Sequence, residues 1–140
     1  MRRQTILLLS PDLDLCVSLR LFLQDTYDIR TMVDKSMFLT TARAYNPSII
    51  IIDEGPSERM KSAMEALKRE KPSIRYILFA SKREGFHLIP PPFRSLIDLA
   101  ISKPVELEEL TTALDFLTSK SDHTVRRRVL RPLVGSIQPT

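Results

Sequence analysis

The hydrophobic pattern alternates between short apolar runs and stretches with helical spacing. The run TILLL (5–9) is apolar on both faces, as a strand covered on both sides of a sheet must be. The segments SIIIID (48–53), IRYILFA (74–80) and DLAIS (98–102) predict three further strands. YDIRTMV (27–33) instead alternates, which is typical of a half-exposed strand near a sheet edge. The pattern therefore predicts five strands, one of them peripheral.

Apolar residues three and four positions apart predict amphipathic helices between these strands. The first covers residues 13–24, with Pro11 and Asp12 as its N-terminal signal. Asn46-Pro47 and Lys71-Pro72 predict the ends of the second and third helices. The four apolar stripes are Cys16, Leu19 and Leu23; Phe38, Ala42 and Tyr45; Met60, Ala63 and Leu67; and Leu107, Leu110, Leu114 and Leu117.

The segment before the fifth strand, residues 82–97, interrupts this alternation with three consecutive prolines at 90–92. Proline lacks a backbone donor and clashes with the preceding helical turn, but it is tolerated in a first turn. We therefore expect a short or disrupted fourth helix that begins at the prolines and ends near Leu96.

Five alternations of strand and helix predict a three-layer α/β sandwich with a central five-stranded parallel sheet, because right-handed crossovers place helices on both faces. The functional crevice of such a sheet lies beyond the carboxyl ends of its strands. Residues 10–12, 53–55, 80–81 and 102–104 are these ends, so we expect them to meet at one edge.

Composition is that of one ordinary soluble domain: 140 residues, 43% apolar and 27% charged. The single cysteine, Cys16, excludes an intrachain disulfide and fits a reducing compartment. The N-terminal apolar run, residues 6–9, is too short for a signal peptide or a membrane span. A cytoplasmic location is therefore expected.

The net charge of +4 belongs to the C-terminal tail, residues 119–140. The tail holds five basic residues and one acidic residue: Lys120, Arg126, Arg127, Arg128 and Arg131 against Asp122. The body, residues 1–118, therefore has equal numbers of basic and acidic residues. The basic pI therefore reflects the tail and does not indicate a nucleic-acid-binding body.

Several chemistries are disfavoured by the motifs that are missing. The chain has three glycines and no glycine-rich phosphate loop, which counts against a dinucleotide-binding enzyme. His87 and His123 have no cysteine or second histidine at ligand spacing, which counts against zinc.

Two motifs at the predicted strand ends resemble those of response-regulator receiver domains, the phospho-accepting modules of bacterial two-component signalling. IIIID places Asp53 where the family has its phospho-acceptor, and ISKP places Lys103-Pro104 where the family has a lysine and a cis proline. The resemblance covers residues 4–118 and implies a flavodoxin-like (βα)5 fold. It implies a signalling module and no enzyme beyond phosphoryl acceptance on Asp53.

The chemistry of phosphoryl transfer gives each family residue a role. Lys103 would supply a counter-charge to the phosphoryl oxygens. In the family, Mg²⁺ is held by two acidic residues after the first strand, by the phospho-acceptor and by a backbone carbonyl two residues beyond it. Asp53 and Gly55 match the last two ligands.

The acidic pair of the family is absent, because Ser10 and Pro11 stand at its two positions. Asp12, one residue later, is the nearest substitute metal ligand, with a helix N-cap as its alternative role. We therefore expect weak magnesium binding. Without metal, Asp53 and Lys103 are expected to form a salt bridge.

The residues of this chain at the family's switch positions also depart from the family pattern. Ala80 matches the hydroxyl residue at the end of the fourth strand, and Ala100 matches the aromatic residue three places before the lysine. Ser81, one place late, is the candidate substitute for the hydroxyl. These changes predict an impaired phosphorylation switch.

The expected function is a receiver-like module that acts by contact with a histidine kinase or another signalling protein, with homodimerisation left open. Two alternatives stay open at this point. One is a small ligand-binding protein or enzyme that uses the same crevice. The other is nucleic-acid binding through the basic tail.

Overall fold

The sheet of the computed structural model has five parallel strands. They are β1 (Thr5–Leu9), β2 (Asp28–Met32), β3 (Ile49–Asp53), β4 (Arg75–Ser81) and β5 (Leu99–Lys103). Their order in the sheet is β2-β1-β3-β4-β5, so the peripheral strand predicted at 27–33 does lie at an edge. The structure describes residues 3–53, 57–81 and 91–118.

Among the described residues, five α-helices connect and follow the strands: α1 (Leu13–Leu23), α2 (Phe38–Tyr45), α3 (Glu58–Glu70), α4 (Pro91–Arg94) and α5 (Leu107–Thr118). A 3₁₀ turn, Lys35–Met37, precedes α2. The predicted flavodoxin-like (βα)5 architecture is confirmed, and the fourth helix is short as the prolines predicted.

The core is divided by the sheet into two layers. Side chains of α1 and α5 pack on one face with Ile6, Leu8, Ile49 and Ile51. Side chains of α2, α3 and α4 pack on the other face with Leu7, Leu9, Ile50 and Ile52. Alternate residues of one strand therefore serve opposite layers, which is why the central strands are continuously apolar.

Local sequence signals account for the helix boundaries. The Asp12 side chain accepts from the backbone N–H of Leu15 at the start of α1, and the Ser57 hydroxyl accepts from Met60 N–H at the start of α3. Asn46 ends α2 in the left-handed region at a φ of 55°, where asparagine is among the few tolerated non-glycine residues.

Strand boundaries differ slightly from those predicted. Tyr27 and Val33 lie just outside β2, and β4 extends through Ser81. Residues 82–90 and the tail 119–140 lie outside the described residues. Within the part of the chain that is described, no helix is both long enough and apolar enough to traverse a lipid bilayer.

All three tyrosines of the chain are expected to titrate above their ordinary range. Burial and the neighbouring Asp115 carboxylate, which accepts from the hydroxyl at 3.2 Å, raise the pKa of Tyr27 to about 12. Burial and Asp28 raise the pKa of Tyr45 to about 12. Burial also raises the pKa of Tyr76, whose hydroxyl donates to the Met64 carbonyl.

These raised pKa values make folding sensitive to alkali. The folded state holds the phenolic protons more tightly than the unfolded state, so their contribution to stability is complete below pH ~10. It is lost as the pH rises toward about 12, where Tyr27 and Tyr45 ionise in the folded chain. Phenolate absorbance and circular dichroism are expected to change together, and phenolate formation near pH 10 in a fully folded chain would contradict this.

Candidate functional site

Strand parity brings three polar side chains to one side of the carboxyl edge. In β3, Ile49 and Ile51 face the α1–α5 layer, and Asp53 follows with the same parity. Ser10 lies two residues after Leu8 of β1, and Lys103 lies two residues after Ile101 of β5, so both follow the alternate positions that face the α1–α5 layer. Because side chains alternate with a period of two, all three point to the same side of the sheet.

The carboxylate of Asp53 is buried and both of its oxygens accept hydrogen bonds. Lys103 Nζ donates to Oδ1 at 2.8 Å, and Ser10 Oγ donates to Oδ2 at 2.7 Å. The Asp53 side chain is 1% exposed, whereas that of Lys103 is 37% exposed. The Asp53–Lys103 contact expected from the two sequence motifs is thus present, and Lys103-Pro104 is a cis peptide.

Ser10 is the site residue that sequence reasoning missed. The sequence places Ser10 at a position where the family has a metal ligand, yet Ser10 is fully buried, donates to Asp53 and accepts at its Oγ from Asp12 N–H at 3.0 Å. A serine beside Pro11 carries no motif that would reveal this role. The available signal was positional, because Ser10 follows β1 with the parity of the site.

Asp12 caps α1 and does not join the Asp53 cluster in the contacts observed. Its side chain is exposed and accepts from Leu15 N–H at 3.1 Å. Among residues 3–53, 57–81 and 91–118, no group of three histidine, cysteine or acidic side chains is placed to hold a metal ion. Gly55, the predicted carbonyl ligand, lies outside the described residues.

The predicted hydroxyl substitute, Ser81, is placed at the site edge by strand parity. Ile77 and Phe79 of β4 face the α1–α5 layer, and Ser81 follows them in register with Lys103. Ala80 and Ala100 face the opposite layer and are buried there. Ser81, and not Ala80, therefore shares the side of Asp53, although its role as a switch residue stays a prediction.

Cys16 lies behind the site on the buried face of α1. Its thiol donates to the Ser10 carbonyl at 3.7 Å. Burial raises the pKa of the Cys16 thiol, and the carboxylates of Asp12 and Asp53 raise it further. The sulfur is therefore a packed, protonated group at neutral pH.

The arrangement defines what Asp53 can do chemically. A carboxylate is nucleophilic through an oxygen lone pair, and attack on a phosphoryl group needs one oxygen aimed outward. Here a buried serine holds Oδ2 and a lysine holds Oδ1. Each oxygen keeps a second lone-pair site, but the Asp53 side chain is 1% exposed, so phosphoryl acceptance would require the carboxylate to become accessible.

Ser10→Ala is expected to reduce the free energy of unfolding by about 1–3 kcal/mol, because Asp53 Oδ2 and Asp12 N–H both lose a buried partner. Urea denaturation measures this change. Ser18→Ala, at an exposed position of α1, is the control and should change stability by less than about 0.5 kcal/mol. Equal effects at the two positions would show that the Ser10 hydrogen bonds contribute nothing.

The strand order β2-β1-β3-β4-β5 and the parallel pairing give the flavodoxin-like fold that response-regulator receiver domains have. The solved structures similar to this chain bear out that assignment.

A receiver domain of a two-component response regulator from Bacteroides fragilis is 16% identical, with a TM-score of 0.71 over 86% of this chain and 100% of that one. The chemotaxis response regulator CheY4 of Vibrio cholerae is 15% identical, with a TM-score of 0.68 over 83% of this chain and 99% of that one.

A third similar structure is the signal receiver domain of an HD domain-containing protein from Pseudomonas fluorescens Pf-5. It is 20% identical, with a TM-score of 0.69 over 94% of each chain. No family model matches the sequence, and no curated protein matches it. The similarity is therefore one of fold.

Proposed function

We propose that this chain is a receiver-like signalling module that acts through protein–protein contact, with Asp53 held in an unphosphorylated state by Ser10 and Lys103. The observation that carries the proposal is that both Asp53 oxygens accept hydrogen bonds, one from Ser10 just after β1 and one from Lys103 in β5. The receiver fold supports a signalling partner, such as a histidine kinase or a protein with an equivalent docking surface.

Weak magnesium binding forms part of the proposal. Mg²⁺ gives up its water reluctantly and is usually held by one or two carboxylates together with water in octahedral geometry. Asp53 is the one acidic residue among the buried residues of the described chain, and Lys103 already neutralises it. A divalent cation at this position would have to compete with the lysine ammonium for the same oxygen.

The proposal predicts that a small phosphodonor or beryllofluoride with millimolar Mg²⁺ leaves Asp53 largely unmodified. Intact mass would measure a phosphoryl adduct, and amide NMR would report shifts around Asp53, Ser81 and Lys103. Asp53→Asn is the matched control, because it keeps the side-chain shape but cannot form the acyl phosphate. Stoichiometric modification of the wild-type chain that is absent from Asp53→Asn would overturn the proposal.

A further inference from the structure

Helix α1 presents an apolar stripe to solvent in addition to its buried one. Leu13, Val17 and Leu21 are 64%, 57% and 61% exposed. They lie four residues apart, so they follow one another along one flank of the helix. We call these three residues the α1 stripe. Contiguous exposed apolar surface on a soluble domain usually marks a contact surface.

The layer that carries the α1 stripe is acidic. Across α1, α5 and their flanking residues, 12–25 and 105–118, seven acidic residues accompany one basic residue: Asp12, Asp14, Asp25, Glu106, Glu108, Glu109 and Asp115 against Arg20. Asp14 is exposed one position from Leu13 and seven from Leu21, so it borders the stripe. The surface therefore combines apolar side chains with negative charge.

The opposite layer has the reverse charge. Residues 34–46 and 57–71, which include α2 and α3, hold seven basic and four acidic residues: Lys35, Arg43, Arg59, Lys61, Lys68, Arg69 and Lys71 against Asp34, Glu58, Glu65 and Glu70. The charge of the body is thus neutral in sum but divided between the two faces of the sheet. A basic apolar segment is complementary to the α1–α5 face and is repelled by the other.

The chain itself contains such a segment. Residues 125–131, VRRRVLR, combine four arginines with Val125, Val129 and Leu130. We propose that this segment docks on the α1 stripe of its own chain, with its apolar side chains against Leu13, Val17 and Leu21 and its arginines beside the acidic residues of α1 and α5.

The path of the chain favours docking of residues 125–131 on the α1 stripe. The Tyr27 hydroxyl, just after α1, donates to Asp115 in the last turn of α5 at 3.2 Å. Helix α5 therefore ends beside the C-terminal end of α1, where Leu21 lies. Six residues, 119–124, separate Thr118 from Val125, and the seven steps between these two residues can span up to ~24 Å, whereas an 11-residue helix is ~16 Å long.

The covalent link through residues 119–124 also raises the effective concentration of the segment to the millimolar range, so that a weak contact suffices for the segment to occupy the α1 stripe most of the time. A contact with an intrinsic dissociation constant of ~0.1 mM would be about 90% occupied at ~1 mM effective concentration. Docking would then shield the α1 stripe from other proteins until a partner displaces the segment, which is a further function of the tail beyond the proposed module.

Cleavage of the full chain by an arginine-specific protease tests the proposal. We expect the Arg126–Arg128 sites to be cleaved about tenfold faster in Val17→Lys/Leu21→Lys than in the wild type, since the added charges repel the segment. Met37→Lys, an exposed apolar position on the other layer, is the matched control and should leave the rate unchanged. Circular dichroism verifies that each variant is folded.

A second measurement keeps the proposal falsifiable if the stripe variant unfolds. Arg126→Glu/Arg127→Glu/Arg128→Glu in the full chain should shift the amide resonances of α1, and higher salt should produce similar shifts in the wild type. Cleavage at equal rates in all variants, with unshifted α1 resonances, overturns the proposal. Protection that grows with protein concentration would assign the stripe to a second copy, and protection seen only with added DNA would assign the tail to nucleic acid.

Discussion

Lys103→Met is expected to lower the free energy of unfolding by about 3 kcal/mol. Removing one partner of a buried ion pair leaves an uncompensated buried charge, which typically costs 3–5 kcal/mol. Asp53 is that charge here, with a side chain 1% exposed. The lower end of the range applies because Lys103 is 37% exposed, so water already screens the pair, and because Ser10 still donates to Oδ2.

Two controls make this loss interpretable. Lys61→Met removes an i,i+3 pair with Glu58, a carboxylate whose side chain is 91% exposed, and should cost less than about 0.5 kcal/mol. Asp53→Asn/Lys103→Met should be more stable than Lys103→Met alone, because the neutral amide no longer needs a counter-charge. Urea unfolding of the wild type, Lys103→Met, Asp53→Asn and the double variant forms a double-mutant cycle. If Lys103→Met costs less than about 1 kcal/mol, Asp53 does not depend on Lys103 for its burial.

Ser10→Asp is expected to raise the affinity for Mg²⁺ by at least about tenfold, equivalent to ~1.4 kcal/mol. The new carboxylate would stand where the Ser10 hydroxyl now meets Asp53 Oδ2, and two neighbouring carboxylates form a site for a hard divalent cation. In the absence of metal the same two charges repel, so the variant should be less stable than the wild type by about 2 kcal/mol.

The melting temperature reports both effects in one experiment. A ligand that binds the folded state stabilises it as its concentration rises above the dissociation constant. Millimolar Mg²⁺ should therefore raise the melting temperature of Ser10→Asp and leave the wild type unchanged. Ser10→Asn, similar in shape but uncharged, is the control. A magnesium response in Ser10→Asn, or none in Ser10→Asp, would show that charge at position 10 does not govern metal binding.

The hydrophobic pattern was sufficient to predict the layers of this protein. Ile49 to Ile52 are apolar on both faces because β3 is central and helices cover both sides, and β2 alternates because it is an edge strand. Asp53 and Lys103 could be paired in advance, since parallel strands bring their carboxyl ends to one edge and the resemblance to receiver domains implies that these two residues share a site there. These features depend on periodicity and strand direction, which a sequence carries explicitly.

The hydrogen bond from Ser10 to Asp53 could not be predicted in the same way. Serine is common in turns and caps, and nothing near Ser10 distinguishes a buried donor from an exposed turn residue. Its role depends on the register Leu9↔Ile52, which places the residue after β1 next to the end of β3. Register arises from contacts between strands 43 residues apart, and local composition does not encode it.

The same reasoning separates Ser81 from Ala80. One position along a strand reverses the side to which a residue points, and the sequence motif alone placed Ala80 at the hydroxyl position, with Ser81 as a substitute one place later. Tertiary pairing with β3 and β5 settles the parity and puts Ser81 on the side of Asp53. The chain alone thus specifies its strands, their burial and the two charged residues of the site, whereas the partners of Asp53 depend on packing between distant strands, because only that packing sets their register.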